Sequence, residues 1–395
     1  MILDNNQSYN SEKFWSFYPI VWVLFSVSML LVSRFPELKS SLLKVLVPLV
    51  FLLIVFKQNS IQIRNKGLKA YILLFAWGAL SLLYTVNIDK TVDYLGKMLG
   101  ILFVWYITSR LISRIGNLKF IFFPLLAAFL VNLYFGLSTP VYAVGNGIAR
   151  ASGILGNANA LGIFLWYGIV VCMIFIEMFK HKQLEKVFFY ALMILFAYGI
   201  LHTGSRKSAF VVLLFFATYI FLQSRKNFSI IFIAFIIVYL GYTYFFDYII
   251  NNTAFGLRVE SNVLEHGAEK RLGLILEGFD MFFKNPLLGV GLGSFTSYSA
   301  SGLMAHNEHV EILASMGLIG LIIYWCVYYD IINRLWKIRM YHDKVLYIYM
   351  AFIVGYIFLS LGTVPFLNPL TIMMLVVFYE LINRKYFYYK NGKII

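Results

Sequence analysis

Twelve apolar stretches follow one another along the chain, separated by polar connections. They lack the strict alternation of barrel strands, and backbone inside a bilayer must satisfy its own hydrogen bonds, so each stretch is predicted to be a membrane-spanning helix. The predicted spans are residues 17–33, 42–56, 70–86, 95–112, 118–137, 160–179, 187–201, 208–222, 229–246, 309–331, 345–361 and 368–383. The pattern therefore predicts an all-α, polytopic bundle of about twelve helices forming a single membrane domain over residues 1–395.

One connection is much longer than the others and covers residues 247–308. Its helical periodicity separates an apolar stripe from a polar one, which predicts an amphipathic helix on the bilayer surface or packed over the bundle. The apolar stripe is Leu272, Ile275, Leu276, Phe279, Phe282 and Phe283, and the polar stripe is Glu269, Glu277, Asp280 and Lys284. Arg271 falls at the far edge of the apolar stripe, away from the acids, which leaves its guanidinium available to an external anion.

Composition agrees with a membrane protein, because 61% of the residues are hydrophobic and only 13% are charged, against about 25% in soluble domains. The net charge of +15 comes from basic residues spread between spans, so nucleic acid is not a predicted partner. Cys172 and Cys326 both lie in apolar runs and predict neither a disulfide nor a metal site. The polar start of the chain shows no cleavable signal pattern.

Lysine and arginine predict the orientation of the bundle. With the N-terminus inside, 21 of the 33 basic residues lie on the inner side, and only 8 lie on the outer side when the long connection is left out. This is the positive-inside bias. Both termini are therefore predicted to be cytoplasmic, and the 247–308 connection extracytoplasmic.

Three connections bring cations to the predicted outer face. Arg150 precedes the sixth span, the turn LHTGSRKSAF carries Arg206 and Lys207, and the long connection adds Arg258 and Arg271. A basic residue at a helix end often only anchors lipid headgroups, and this alternative stays open for each of them. Positive-inside bias disfavours basic residues in an outer turn, which makes Arg206 the best candidate for a function.

His306 opens the run AHNEHVEILASMGLIG, which leads into the tenth predicted span. The spacing of His306, His309, Glu308 and Glu311 fits a zinc site poorly, so no metal or other cofactor is predicted. A purely structural hydrogen-bonding role for His306 stays open beside a catalytic or substrate-orienting one. The nearby GVGLGSF segment has no preceding strand and no following GK[ST], which favours a tight loop near the bundle over a phosphate-binding loop.

Outer-face cations without an acidic metal cage suit a phosphorylated ligand, because arginine binds phosphate bidentately and stays charged. A nearby histidine can accept or steer a proton. ATP is absent outside the membrane, so the energy must reside in the substrate. A lipid-linked diphosphate sugar fulfils this requirement, with the diphosphate as the leaving group.

The blocks RASGILGNANALG, TGSRKSAFVVLL and FDMFFKNPLLGVGLGSF…AHNEHVEILASMGLIGL resemble the O-antigen ligase and polymerase superfamily of bacterial cell envelopes, over residues 145 to 325. Ala158 stands where the family commonly has proline. The resemblance implies a twelve-helix fold similar to metal-independent C-class glycosyltransferases, with the outer loop covering the active site. It also implies a protein of the bacterial cytoplasmic membrane.

The same resemblance implies roles for individual residues. Arg206 and Arg271 match arginines that bind the donor diphosphate, His306 matches the key histidine, and Arg150 matches less securely. We therefore predict the catalytic residues His306, Arg206 and Arg271, and the substrate-binding residues Arg150, Lys207, Arg258 and Asn307. The implied partners are an undecaprenyl-diphosphate-linked oligosaccharide, membrane lipids and a regulator of chain length.

Three activities remain open. A polymerase, which we favour, joins lipid-linked repeat units into O-antigen, capsule or exopolysaccharide, whereas a ligase transfers the glycan to lipid A core or another final acceptor. A flippase or transporter is the alternative outside the enzymes. Transporters place ionisable groups near the bilayer midplane, whereas Asp330 and Glu380 are predicted near the inner surface.

Overall fold

The computed structural model describes residues 16–31, 36–58, 65–138, 143–144, 147–148, 150–179, 182–224 and 263–391. In these ranges the helices are α1 (Phe17–Leu31), α2 (Pro36–Gln58), α3 (Lys66–Leu80), α4 (Ile88–Arg114), α5 (Leu118–Leu137), α6 (Ala158–Met178), α7 (Gln183–Thr203), α8 (Arg206–Gln223), α9 (Val263–Lys284), α10 (Phe295–Tyr298), α11 (Glu308–Ile338), α12 (Lys344–Ser360) and α13 (Pro369–Asn391). Between α5 and α6, β1 (Ala143–Val144) pairs antiparallel with β2 (Gly147–Ile148).

The chain is an α-helical, multi-pass membrane protein, as predicted. Within the described residues, seven helices are long and apolar enough to cross a membrane, and three shorter apolar helices accompany them. The predicted ninth span, 229–246, lies outside the described residues.

Asparagine begins many of the helices. Its side-chain oxygen accepts a hydrogen bond from a backbone N–H of the first turn, which satisfies a donor that the helix itself leaves unpaired. The asparagines in this position are Asn65 before α3, Asn87 before α4, Asn117 before α5, Asn157 before α6 and Asn307 before α11.

Helix α6 forms the centre of one half of the bundle, since 89% of the residues in its apolar stretch are buried. It packs against α5, α7, α8 and α12. Gly162 allows the first turn of α8 to approach closely, because a Cβ there would lie 2.6 Å from Ser208 Oγ. The start of α8 is thereby fixed against the most buried helix.

Helix α11 corrects the prediction of one continuous span over 309–331. Gly317 adopts φ 67° and ψ −170°, which interrupts the helix. The parts on either side fold back on each other, since Tyr324 Oη donates to the Glu308 carboxylate and the His309 ring stacks on Trp325 with 5.3 Å between ring centroids. In a continuous helix, residues 16 positions apart would be about 24 Å apart. Residues 308–316 therefore form a half-helix that runs back alongside the following turns.

The glycine-rich loop after α9 occupies the break in α11. The backbone N–H groups of Val290 and Gly291 donate to the carbonyls of Ala314 and Ser315, each at 2.9 Å. These bonds satisfy backbone groups that the interruption would leave without partners. A Cβ at Gly317 would lie 2.2 Å from a carbonyl oxygen of this loop, so the position requires glycine for space as well as for its positive φ.

Two acids predicted near the inner surface, Glu380 and Asp330, each have hydrogen-bond partners. Asn65 Nδ2 and Ser109 Oγ both donate to Glu380 Oε1 at 2.6 Å. Arg334 Nε donates to Asp330 Oδ2 at 2.8 Å. Both acids are therefore accounted for by the packing of α3, α4, α11 and α13.

Candidate functional site

The connections at one end of the bundle converge around the starts of α8 and α11. Lys207 Nζ, in the first turn of α8, donates to the carbonyl of Gly362 in the α12–α13 connection. His309, in the first turn of α11, lies 2.8 Å from Ser360 Oγ at the end of α12, measured from Nε2. Three segments that are far apart in sequence therefore meet here.

Lys207, Arg271 and His306 form a group that we call the cation cluster. The charges of Arg271 and Lys207 both act on the His306 imidazole, and Arg271 also acts on Lys207. Since Coulombic interactions weaken with distance, three of the predicted site residues, from three different helices or connections, lie near one another.

The pKa of His306 is lowered from its ordinary value. Partial burial contributes most, and the positive charges of Arg271 and Lys207 add to it. Both causes disfavour the protonated imidazole. At neutral pH the His306 imidazole is therefore uncharged and can accept a proton.

Arg271 reaches the cluster because of its position on α9. It shares a helix face with Leu274, Gly278 and Met281, of which Leu274 and Met281 are buried. At Gly278 the approach to α11 is close, since a Cβ there would lie 2.3 Å from Val310 Cγ1. Arg271 itself is exposed, at one end of this packed face.

The opposite face of α9 is also apolar but is exposed to the surroundings of the chain. Leu272 and Leu276, from the predicted apolar stripe, are 57% and 59% exposed, and Phe283 is 73% exposed. The helix therefore has two apolar faces, one of which packs on α11 while the other is free to face lipid.

Arg206 is the first residue of α8, directly before Lys207, and it is half-buried. Ser205 caps this helix through its Oγ, which accepts from Ser208 N at 3.4 Å. The N-terminus of an α-helix carries a partial positive charge, and here it adds to the charges of Arg206 and Lys207. The structure gives no hydrogen bond or ion pair between Arg206 and another described residue.

Arg150 ties two helix ends together. Its Nε donates to the carbonyl of Thr203 at the end of α7, and its Nη2 donates to Asn159 Oδ1 in α6, both at 2.9 Å. In the Gly-Asn-Ala-Asn segment, Asn157 thus caps α6 and Asn159 holds the arginine. Ala158 is the first residue of α6, a position that also accepts proline. Alanine and proline are therefore both compatible with the start of this helix.

The turn that carries His306 is conformationally unusual. His306 has φ 52°, in the left-handed region that a non-glycine residue adopts at some cost. Asn307 follows it as the cap of α11, with Oδ1 accepting from His309 N at 3.0 Å and from Val310 N at 3.2 Å. The residue keeps solvent-exposed surface although its ring is partly buried, and it forms no hydrogen bond with another described residue.

The predicted site residues thus differ in their surroundings. Lys207, Arg271 and His306 cluster, Arg206 adjoins them along the chain, Arg150 bonds to protein atoms, and the amide oxygen of Asn307 caps a helix. Arg258 lies outside the described residues. Their roles in substrate binding and catalysis stay predictions.

Sequence reasoning missed the part played by Glu308, Glu311 and the 360–366 segment. The two acids are fully buried around the His306 turn, and residues 360–366 contact both Lys207 and the start of α11. The acids are visible in the sequence, but nothing in their spacing indicates burial. The contribution of 360–366 is a long-range contact without a local signal.

The cations of this site can bind an anion, and the neutral base His306 lies beside them. Among the described residues, no group of three or more His, Cys, Asp or Glu side chains is placed to hold a metal ion. The fold and the site together define a multi-pass membrane protein with a cationic, histidine-containing site at one end of its helices.

The sequence was compared with known protein families, and part of it matches one of them. Residues 191–325, about a third of the chain, match a family described as O-antigen ligase. The matched segment contains Arg206, Lys207, Arg271 and His306, and it confirms the resemblance to the O-antigen ligase and polymerase superfamily. An activity of the ligase or polymerase type follows in general terms. No curated protein matches the chain.

Proposed function

We propose that the protein is a polymerase that joins polyprenyl-diphosphate-linked oligosaccharide units into a surface polysaccharide. The observation that carries this proposal is the cation cluster: the charges of Lys207 and Arg271 act on His306 where the starts of α8 and α11 both contact the 360–366 segment. Cations gathered in this way suit a diphosphate, and a neutral imidazole beside them suits an acceptor hydroxyl.

The reaction follows from these two features. His306 accepts the proton of an acceptor-sugar hydroxyl, whose oxygen attacks the anomeric carbon of the donor glycan. The bond between that carbon and the diphosphate oxygen breaks, and polyprenyl diphosphate leaves with the electron pair. Arg206, Arg271 and Lys207 stabilise the charge that develops on the leaving oxygen. No metal ion or nucleotide takes part in this scheme.

The proposed setting is the outer face of the bacterial cytoplasmic membrane. With the predicted twelve spans and both termini in the cytoplasm, the orientation that the positive-inside bias favours, the cation cluster would lie outside. The membrane-soluble isoprenoid would enter from the bilayer, and membrane lipids would surround the exposed face of α9. A separate regulator of chain length is a candidate partner.

Purified protein in lipid nanodiscs, supplied with a polyprenyl-diphosphate-linked oligosaccharide, tests the proposal. We expect release of polyprenyl diphosphate together with a ladder of lipid-linked products that differ by one repeat unit. Transfer of the intact lipid across a vesicle membrane, without bond formation, would instead identify a transporter and contradict the proposal.

The ligase remains a second candidate because the matched family carries that description. The same assay separates the two enzymes. A ligase releases polyprenyl diphosphate only when lipid A core or another final acceptor is added, and its product carries the glycan on that acceptor without a ladder on the donor lipid.

A further inference from the structure

Two acidic side chains next to His306 have no part in the proposed reaction. Glu308 and Glu311 lie in the first turn of α11 and are 0% and 1% exposed. Burial of a carboxyl group is costly unless hydrogen bonds compensate for it.

Glu311 holds the residue before His306. Its Oε2 accepts a hydrogen bond of 2.9 Å from the backbone N–H of Ala305, which is itself 1% exposed. This bond reaches back along the chain from the first turn of the helix and closes the loop that contains His306. It fixes one flank of a residue whose φ of 52° needs support from its surroundings.

Glu308 holds the other flank. One of its carboxylate oxygens accepts from the backbone N–H of Phe366, and the other accepts from the hydroxyl of Tyr324. Tyr324 belongs to the part of α11 beyond the break, and Phe366 belongs to the α12–α13 connection. That connection also contains Gly362, whose carbonyl accepts from Lys207. Glu308 therefore joins the His306 turn to the segment that holds a member of the cation cluster.

We propose that Glu311 and Glu308 are positioning residues for His306. They act through hydrogen bonds to the backbone and to Tyr324, not by contact with substrate, since both are buried and each accepts at least one hydrogen bond from the protein. The inference rests on the proposed function, because it assigns these residues to the alignment of the histidine with the acceptor hydroxyl.

Three variants at position 311 test the hydrogen bond against the charge. Glu311→Gln keeps the reach and an acceptor oxygen for Ala305 N–H but removes the charge. Glu311→Asp keeps the charge but shortens the side chain, and Glu311→Leu removes the acceptor. We expect Gln to retain a kcat near that of the wild type, and Asp and Leu to lose on the order of 100-fold in kcat, as a small misplacement of a reacting group does. The donor KM should stay nearly unchanged in all three.

The opposite order, with Asp active and Gln inactive, would overturn the proposal in favour of an electrostatic role. If the Leu and Asp variants lose kcat together with a raised KM and a lower thermal stability, the proposal is also overturned. The same holds if kcat is unchanged in all three variants. At position 308, Glu308→Gln should likewise outperform Glu308→Leu, since the amide can accept from Phe366 N–H and donate to Tyr324 Oη.

Hydrogen exchange provides a readout that does not need turnover. The backbone amide of Ala305 should stay protected in the wild type and in Glu311→Gln, and should exchange faster in Glu311→Asp and Glu311→Leu. Equal protection in all four proteins would contradict the positioning role. If the wild type releases no polyprenyl diphosphate but the exchange pattern holds, the proposed reaction fails while the structural role of Glu311 stands.

Discussion

His306 shares its surroundings with the two cations Arg271 and Lys207. Partial burial lowers the pKa of its imidazole, and the two positive charges lower it further. The same charges attract a diphosphate. A bound diphosphate would in turn offset them, so the histidine becomes a stronger base once the donor has bound.

Removal of the histidine or of the arginine at the start of α8 should abolish product formation. His306→Ala removes the proton acceptor, and Arg206→Ala removes a charge next to the cluster, so each variant should form no polymer while its amount in the membrane stays normal. Gel analysis of lipid-linked products and immunoblotting of membranes measure the two quantities.

His342 offers a matched control for the first variant. It is also a histidine with positive φ, at 49°, and it hydrogen-bonds Tyr347 through Nδ1 at 2.8 Å in the α11–α12 connection. His342→Ala should leave the polymer intact. A short ladder that survives in His306→Ala would reduce that histidine to a supporting role.

The pH dependence of kcat/KM should report the lowered pKa of His306. Activity requires the neutral imidazole, so it should fall as the pH drops through this pKa, below the ordinary histidine value of about 6.5. Arg271→Gln removes a neighbouring positive charge and should raise the pKa, which moves the acidic limb of the profile to higher pH. A limb that stays in place in this variant would show that Arg271 does not act on His306 in solution.

The free energy of unfolding should change with pH in the same direction as the activity, so both should fall as the pH drops. The unfolded chain binds a proton at His306 more readily than the folded protein, so this group destabilises the fold as the pH falls below its ordinary pKa.

At the scale of elements, the break in α11 sets the position of the whole site. It turns residues 308–316 back along the helix, so that His309 reaches Ser360 and Trp325 and Glu308 reaches Tyr324. A continuous helix would carry Glu308 about 24 Å away from the level of Tyr324. The Gly289–Gly291 region of the preceding loop then supplies the backbone hydrogen bonds that the break requires.

Substitution of the glycine at the break should destabilise the protein. Gly317→Ala forces a side chain into a left-handed conformation, at a cost of roughly 1–3 kcal/mol, and places its Cβ against the carbonyl of Leu287. We expect a lower midpoint in thermal unfolding and a loss of activity. Gly100→Ala, in α4, is the control: no atom lies within 4 Å of its Cβ, and alanine favours a helix by about 1 kcal/mol. Equal midpoints for the two variants would contradict the role assigned to Gly317.

The sequence indicates the helices and the cations well but not how the helices end at the site. Apolar runs and asparagine caps are local signals, Arg206, Lys207 and Arg271 stand out by their charge, and His306 stands out by its imidazole. The reversal at Gly317 has no such signal, because the apolar pattern continues on both sides of the glycine. The hydrogen bond of Glu308 with Phe366 and that of Lys207 with Gly362 join segments more than 50 residues apart, which no local pattern records.

For the molecule as a whole, the sidedness of the membrane is the decisive property. In a Cys326→Ser background, Arg206→Cys and His306→Cys should both react with an impermeant maleimide added to the outside of intact cells, because the proposed reaction needs both positions there. Cys326 is exposed and must be removed, whereas the buried Cys172 can stay. Lys390→Cys, near the end of α13, should react only after the membrane is opened. Labelling of positions 206 and 306 from opposite sides would end the proposal.

The reversal at Gly317 also has an electrostatic consequence for the reacting centre. The half-helix 308–316 spans about two and a half turns, enough for its peptide dipoles to add up along its axis. Its amino end, where Asn307 caps the N–H groups of His309 and Val310, carries a partial positive charge and contacts the 360–366 segment, as the start of α8 also does. The two helix ends would thus lend permanent partial charge to an anion that departs beside this segment, and neither can lose that charge by titration.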